Sequence, residues 1–153
     1  MTELRPLRRA DAAAWGRLYA GAFAAPPWNE ECDPVQTAAY IARFMDRPPL
    51  FAYGFFVDDQ PAALAIGEYV PCPEKDLMRI EDFCVGREHQ GKGLGTRAFA
   101  RLLSLCPDWR RIRLVTPADK TENLRFYTEK CGMTPGAVTM DGAVDVVELT
   151  LTR

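Results

Sequence analysis

Gln90-Gly91-Lys92-Gly93-Leu94-Gly95 is the stretch whose reading decides the fold. It sits between a strand read over residues 77–85 and a helix read over 93–104, in which Leu94, Ala98 and Leu102 share one stripe. Glycines let a backbone curl tightly with its N–H groups pointing one way, and a helix N-terminus adds partial positive charge. Together they cradle a phosphate or pyrophosphate with few charged side chains. Lys92 and Gln90 add one charge and one amide. A tight strand–helix connection without a ligand is the plain alternative, but three alternating glycines exceed what such a turn requires.

Outward from this turn the chain reads as β-α-α-β-β-β-α-β-α-β-β. Residues 3–8 form a first strand, and Asp11 caps a helix whose Trp15, Leu18, Tyr19 and Ala22 lie on one face before Pro26-Pro27 stops it. Asp33-Pro34 opens a second helix, closed by Arg47-Pro48-Pro49. Strands near 51–57 and 61–70 flank the polar turn Asp58-Asp59-Gln60, and a loop with Pro71 and Pro73 leads into 77–85. Pro107 and Asp108 end the helix after the glycines, and 110–116 returns as a strand. Asp119 and Glu122 resemble a capping box for a helix running to Cys131, with Gly132 as its left-handed stop. Strands near 134–139 and 143–151 close the chain around the hairpin signal Asp141-Gly142. The expected product is an α+β (α/β sandwich) domain over 1–153, with a mixed, mostly antiparallel sheet and helices on both faces.

Two other phosphate motifs fail. Gly86-x-x-x-x-Gly91-Lys92 approaches the Walker A pattern, but Gly93 stands where a Ser or Thr would hold magnesium. A dinucleotide-binding G-x-G-x-x-G fails because Thr96 occupies the last position.

Gln90-x-x-Gly93-x-Gly95 after Ile80-Glu81-Asp82-Phe83-Cys84-Val85 resembles the pyrophosphate-binding motif of the GNAT superfamily of N-acetyltransferases. Asn123-x-x-Phe126-Tyr127 followed by Lys130-Cys131-Gly132-Met133 is similar to that family's segment on the next helix. Leu4-Arg5-Pro6 with Asp11 is similar to its start. The departures are Lys120, where the family often carries an Asn that touches the cofactor, and Met133 in place of a Phe. The run 80–85 looks especially like the diamine and polyamine acetyltransferase branch.

The resemblance implies an acetyl-CoA-dependent N-acetyltransferase of GNAT fold. Backbone groups of Phe83, Cys84 and Val85 would hold the pantetheine arm, and Gln90, Gly91, Lys92, Gly93, Leu94, Gly95 and Thr96 the pyrophosphate. Asn123 would reach the pantetheine. An amine must lose a proton before attacking a thioester, and the departing thiolate gains from receiving one. Tyr127 is the acid that the motif implies, against a plain aromatic core position. Glu81, directly or through a water, is the base, against a surface carboxylate at a strand edge; counting pleats puts it on the face of Val85 and Asp82 on the other. The N–H of Val85 is placed to steady the oxyanion. Trp28, Asn29 and Glu30, between the first two helices, form a segment suited to an ammonium-bearing substrate or to sealing the domain edge. The acceptor is expected to be a small-molecule primary amine; a protein or peptide amine and a CoA-binding sensor module without turnover are the rivals.

Composition narrows the rest. The 153 residues are 48% hydrophobic and 26% charged with a net charge of −2, which suits one globular domain and disfavours a nucleic-acid surface. No apolar run is long enough to span a bilayer, and no secretory leader is legible, so the cytoplasm is the expected compartment. Five scattered cysteines, among them Cys72 and Cys106, and a single histidine, His89, give no metal site. Edge strands leave room for a homodimer.

Overall fold

The computed structural model describes residues 2–26, 28–70, 77–105 and 108–152. Pro27, the Pro71 and Pro73 loop, Cys72, Cys106 and Pro107 lie outside the described residues. Among the described residues seven strands form one sheet in the order β1-β2-β3-β4-β5-β7-β6. They are β1 (Thr2–Pro6), β2 (Leu50–Val57), β3 (Gln60–Val70), β4 (Leu77–Val85), β5 (Arg111–Pro117), β6 (Thr134–Asp141) and β7 (Val144–Thr152). Only β4 and β5 pair in parallel; the other neighbours are antiparallel. The α+β sandwich expected from the sequence is therefore the fold.

Helices α1 (Ala12–Ala24) and α2 (Pro34–Ala42) cover one face, and α3 (Leu94–Ser104) and α4 (Thr121–Arg125) the other. Alternation along β3 supplies both layers. Leu64 and Ile66 face Trp15, Ala22 and Ile41, whereas Ala63 and Ala65 join Phe99 and Leu102. Asp33 caps α2 by accepting from the Val35 N–H at 2.9 Å, with Pro34 in the first turn. Asp58 and Asp59 take left-handed φ values of 50° and 65° in the β2–β3 turn, and Gly142 does so at 64° in the last hairpin.

Two caps differ from expectation. Asp11 stands at the N-cap of α1, but its carboxylate pairs with Arg8 at 2.9 Å instead of bonding the helix. The N-cap of α4 is Lys120, not Asp119, so no capping box forms. That helix then widens into a π-helical turn, Phe126–Lys130, before Gly132 ends it at φ 73°.

The α1–α2 layer rests on Trp15, which is fully buried against the bare backbone of Gly54. A Cβ at Gly54 would overlap the Trp15 ring and the Leu7 side chain. Gly54→Ala is expected to destabilise the fold by about 1–3 kcal/mol through overpacking. Urea unfolding checks it, and an unchanged midpoint would mean that Trp15 is not seated there.

Candidate functional site

β4 and β5 are joined only at Leu77–Arg111, Met78–Ile112 and Arg79–Arg113. Beyond those pairs the strands part. Just there β4 carries a bulge: Ile66 pairs with Asp82 and Gly67 with Ile80, so Glu81 is the extra residue. A bulge bends its strand and increases its twist, which turns β4 away from its parallel neighbour.

A cleft of about 500 Å³ fills the gap, with Glu81–Val85 on one side and Leu114–Pro117 on the other. Edge N–H and C=O groups inside a protein need partners. One is supplied locally, since Gln90 Nε2 donates to the Val85 carbonyl at 3.0 Å. Gln90 is thereby turned back onto the strand, which fixes the loop's path but leaves its amide nitrogen committed.

At the cleft's end Gly91 and Gly93 adopt φ of 76° and 75°, and Gly93 is the N-cap of α3. No atom lies within 4 Å of where a Cβ would stand at either glycine. This is an open concavity of backbone N–H groups at a helix start, the shape and polarity that an oxyanion takes. Leu94, Gly95 and Thr96 line the cleft with Gly91 and Gly93, while Lys92 is exposed and does not.

Tyr127 reaches the cleft from the π-helical turn, its ring edge-on to Phe99 and Phe126. Burial, and after it the nearby Cys131, Asp82 and Cys84, hold its phenol far above the ordinary range, so it stays protonated. Asn123 also lines the cleft, but its Nδ2 donates to Thr116 Oγ1 at 2.7 Å and ties α4 to β5. Cys84 lines the cleft but packs in the α1–α2 core, and burial pushes its thiol well up, which disfavours the thiolate that a nucleophile needs.

The bulge overturns the pleat count for Glu81. Met78 and Ile80 share a core with Phe83 and Val85, so the parity of β4 inverts between 80 and 83. Glu81 is the exposed residue at that inversion, bordering both the cleft and a shallow depression beside Tyr40 and Arg43. Asp82, on the face opposite Val85 as the pleat count has it, points to the α1–α2 side and lines the cleft. It accepts a hydrogen bond from the Tyr40 hydroxyl at 2.8 Å, and the Tyr19 hydroxyl interacts with the same carboxyl. Burial pushes the Asp82 carboxyl up to about 6, with Glu81 and Glu30 adding to the rise and the two tyrosines opposing it. Sequence reasoning set Asp82 aside as lying on the other face, knew Tyr19 only as part of a helix face, and did not single out Thr116 or Tyr40. Gly67 was the available signal, because a glycine inside a strand often marks a bulge.

Trp28 lines the cleft, stacked obliquely on Phe23 at 5.0 Å, and Lys120 Nζ lies 5.5 Å from its ring centre. A cation thus already stands over the ring expected to receive one. Asn29 and Glu30 are exposed and do not line the cleft. Among the described residues no three His, Cys, Asp or Glu side chains converge on a metal position, and no helix is long and apolar enough to cross a membrane.

The profile of the acetyltransferase (GNAT) family matches residues 12–133. No curated protein matches the sequence. An acetyltransferase from Thermus thermophilus superimposes with a TM-score of 0.77 at 18% identity, covering 100% of this chain and 97% of its own. A spermidine N-acetyltransferase mutant from Vibrio cholerae gives 0.77 at 16% identity, covering 99% and 93%. A Salmonella typhimurium acetyltransferase that modifies the N-terminal serine of a 50S ribosomal subunit protein gives 0.81 at 15%, covering 99% and 95%. All three share a fold with this chain, and the last two are named for different acceptors.

The raised Asp82 carboxyl has a consequence for stability. Folded Asp82 keeps its proton to about pH 6, whereas the unfolded chain releases it near the ordinary carboxyl value of 3.8. The native state therefore binds more protons between those values, and stability falls as pH rises through them. Asp82→Asn is expected to lack this fall, gaining about 2–3 kcal/mol on the wild type between pH ~4 and ~7. Urea midpoints across that range check it; parallel curves for the two proteins would contradict it.

Proposed function

Because the chain belongs to the GNAT family of acetyltransferases, we propose that it moves an acetyl group from acetyl-CoA to the primary amine of a small molecule. The parting of β4 from β5 carries this reading. It leaves an extended strand edge beside a glycine concavity at the start of α3. An arm bearing amides and ending in a pyrophosphate complements those two features in that order.

Phe83–Val85 hold the pantetheine amides, and Gly91–Thr96 take the pyrophosphate on backbone N–H groups. Asn123, anchored on Thr116, borders the arm from α4. The Val85 N–H steadies charge developing on the carbonyl oxygen. Tyr127 keeps its proton at neutral pH and gives it to the departing sulfur. The base comes from the carboxylates at the β4 bulge, Glu81 at the rim and Asp82 within.

The α1–α2 side favours a small acceptor. Trp28 from the α1–α2 link and Lys120 from the β5–α4 link meet beside the cleft, which narrows the approach on that side. A diamine or polyamine would find Glu81 and Glu30 near Asp82, although a fold shared with both polyamine and protein acetyltransferases does not choose the branch.

Thiol release from acetyl-CoA against alkylamines, diamines and a serine-initiated peptide tests the reading. Transfer to at least one small amine is expected. Tight CoA binding without transfer to any acceptor would leave a binding module, and transfer to the peptide alone would make the acceptor a protein. Tyr127→Phe should lower kcat by about 10²-fold or more with CoA affinity little changed. A kcat equal to the wild type's would remove its acid role. Gly93→Val should instead weaken CoA binding by about tenfold or more, because φ of 75° costs a side chain roughly 1–2 kcal/mol and the Cβ enters the concavity. Calorimetric titration with CoA measures it.

A further inference from the structure

We propose that Asp82 is the residue that meets the acceptor's ammonium group and takes its proton, held in position by the hydroxyls of Tyr19 and Tyr40. This rests on the acetyl-transfer reading and assigns the proton to one carboxylate of the bulge.

Position separates Asp82 from Glu81. Asp82 is partly buried in the cleft wall and fixed by the 2.8 Å bond from Tyr40, which comes from α2 while Tyr19 comes from α1. Glu81 is exposed, and among the described residues it has neither a hydrogen bond nor an ion pair. A base must be held within reach of the proton it removes, so the anchored carboxylate is the better placed.

Asp82 also stands across the sheet from the acid. It pairs with Ile66 and looks to the α1–α2 layer, whereas Tyr127 packs in the α3–α4 layer with Phe83 and Val85. The cleft passes between the strands and is lined by both, so the two groups flank one opening from opposite faces of β4.

The surroundings of Asp82 call for a cation. The groups that act on it are Tyr19 from α1, Tyr40 from α2, Glu30 from the α1–α2 link and Glu81 from β4 itself; Cys32 and Cys84 also feel its charge. All are neutral or acidic. Arg43 at the end of α2 acts on Tyr40 instead, and Lys120 stands at the far end of the wall, over Trp28. A carboxylate so placed is stabilised by an incoming ammonium group. From Asp82 the rings of Tyr19, Phe23 and Trp28 follow one another at 4.5 Å and 5.0 Å, an apolar wall for the carbon next to the nitrogen.

The step then balances. The ammonium passes one proton to Asp82, and the free amine attacks the thioester carbon to form the C–N bond. The C–S bond breaks with its electron pair going to sulfur, which takes the Tyr127 proton. The new amide nitrogen gives its surplus proton back to the Tyr127 oxygen, and Asp82 releases the first proton to solvent.

The test measures kcat/KM against pH for butylamine, 1,4-diaminobutane and phenethylamine, with CoA affinity and thermal unfolding followed alongside. With Asp82 as base the wild type uses the abundant protonated amine and shows a plateau through neutral pH. Asp82→Asn should lose about 100-fold near pH 7 and then climb about tenfold per pH unit, because it depends on free amine. It should still bind CoA within about twofold and unfold no earlier than the wild type. Tyr40→Phe removes a donor that favours the ionised carboxyl, so the acidic limb of the profile should move to higher pH. Glu81→Gln should keep the plateau. Asp82→Asn with the wild type's plateau, or Glu81→Gln acquiring the steep climb, would overturn the assignment alone. A wild type that binds CoA and acetylates none of the amines would overturn the transfer reading, and this assignment with it.

Discussion

Three residue pairs hold β4 to β5, and past Arg79 and Arg113 the two strands no longer share hydrogen bonds. The rest of the molecule depends on that parting. A continuous sheet would have satisfied the strand edges within itself, and no slot would run between its two layers. The extra residue at Glu81 supplies the bend, and the separate helix layers, α1–α2 and α3–α4, keep the two sides of the opening covered.

The same extra residue distributes the chemistry. Alternation sends neighbouring residues of β4 to different layers, and the bulge fixes which of them go to which. Asp82 and Cys84 face the aromatic rings of α1 and α2, while Phe83 and Val85 face Phe99, Phe126 and Tyr127. An acidic group and a phenol with raised affinity for its proton thus border one cleft without touching, as transfer between an amine and a thioester requires. Burial keeps Tyr127 protonated, whereas at Asp82 the tyrosine donors limit the rise, so that the carboxyl still ionises at neutral pH.

Local signals in the sequence were legible because local physics sets them. The glycine turn, the Asp33-Pro34 cap and the Asp141-Gly142 hairpin appear where backbone conformation demands those residues. The strand over 77–85 was readable to its ends. What alternation could not reveal was the bulge, since one inserted residue leaves composition unchanged and inverts the facing of residues on its two sides relative to each other. Asp82 keeps the face that alternation gave it, opposite Val85, whereas Glu81 loses its expected place because it is the extra residue. Side-chain commitments made by tertiary contact were equally hidden: Gln90 to the Val85 carbonyl, Asn123 to Thr116 and Lys120 over Trp28 join residues whose nearness depends on the finished fold. Asp119 failed as a cap because the chain enters α4 one residue later.

If the parted strands and the glycine turn together form the donor site, CoA must quench the backbone groups exposed by that parting. Hydrogen exchange of the amides with and without CoA measures this directly. The account predicts slower exchange at Phe83–Val85 and at Gly91–Thr96, with the β6–β7 hairpin unchanged. Unaltered exchange along β4 and the turn, with protection elsewhere or nowhere, would contradict it.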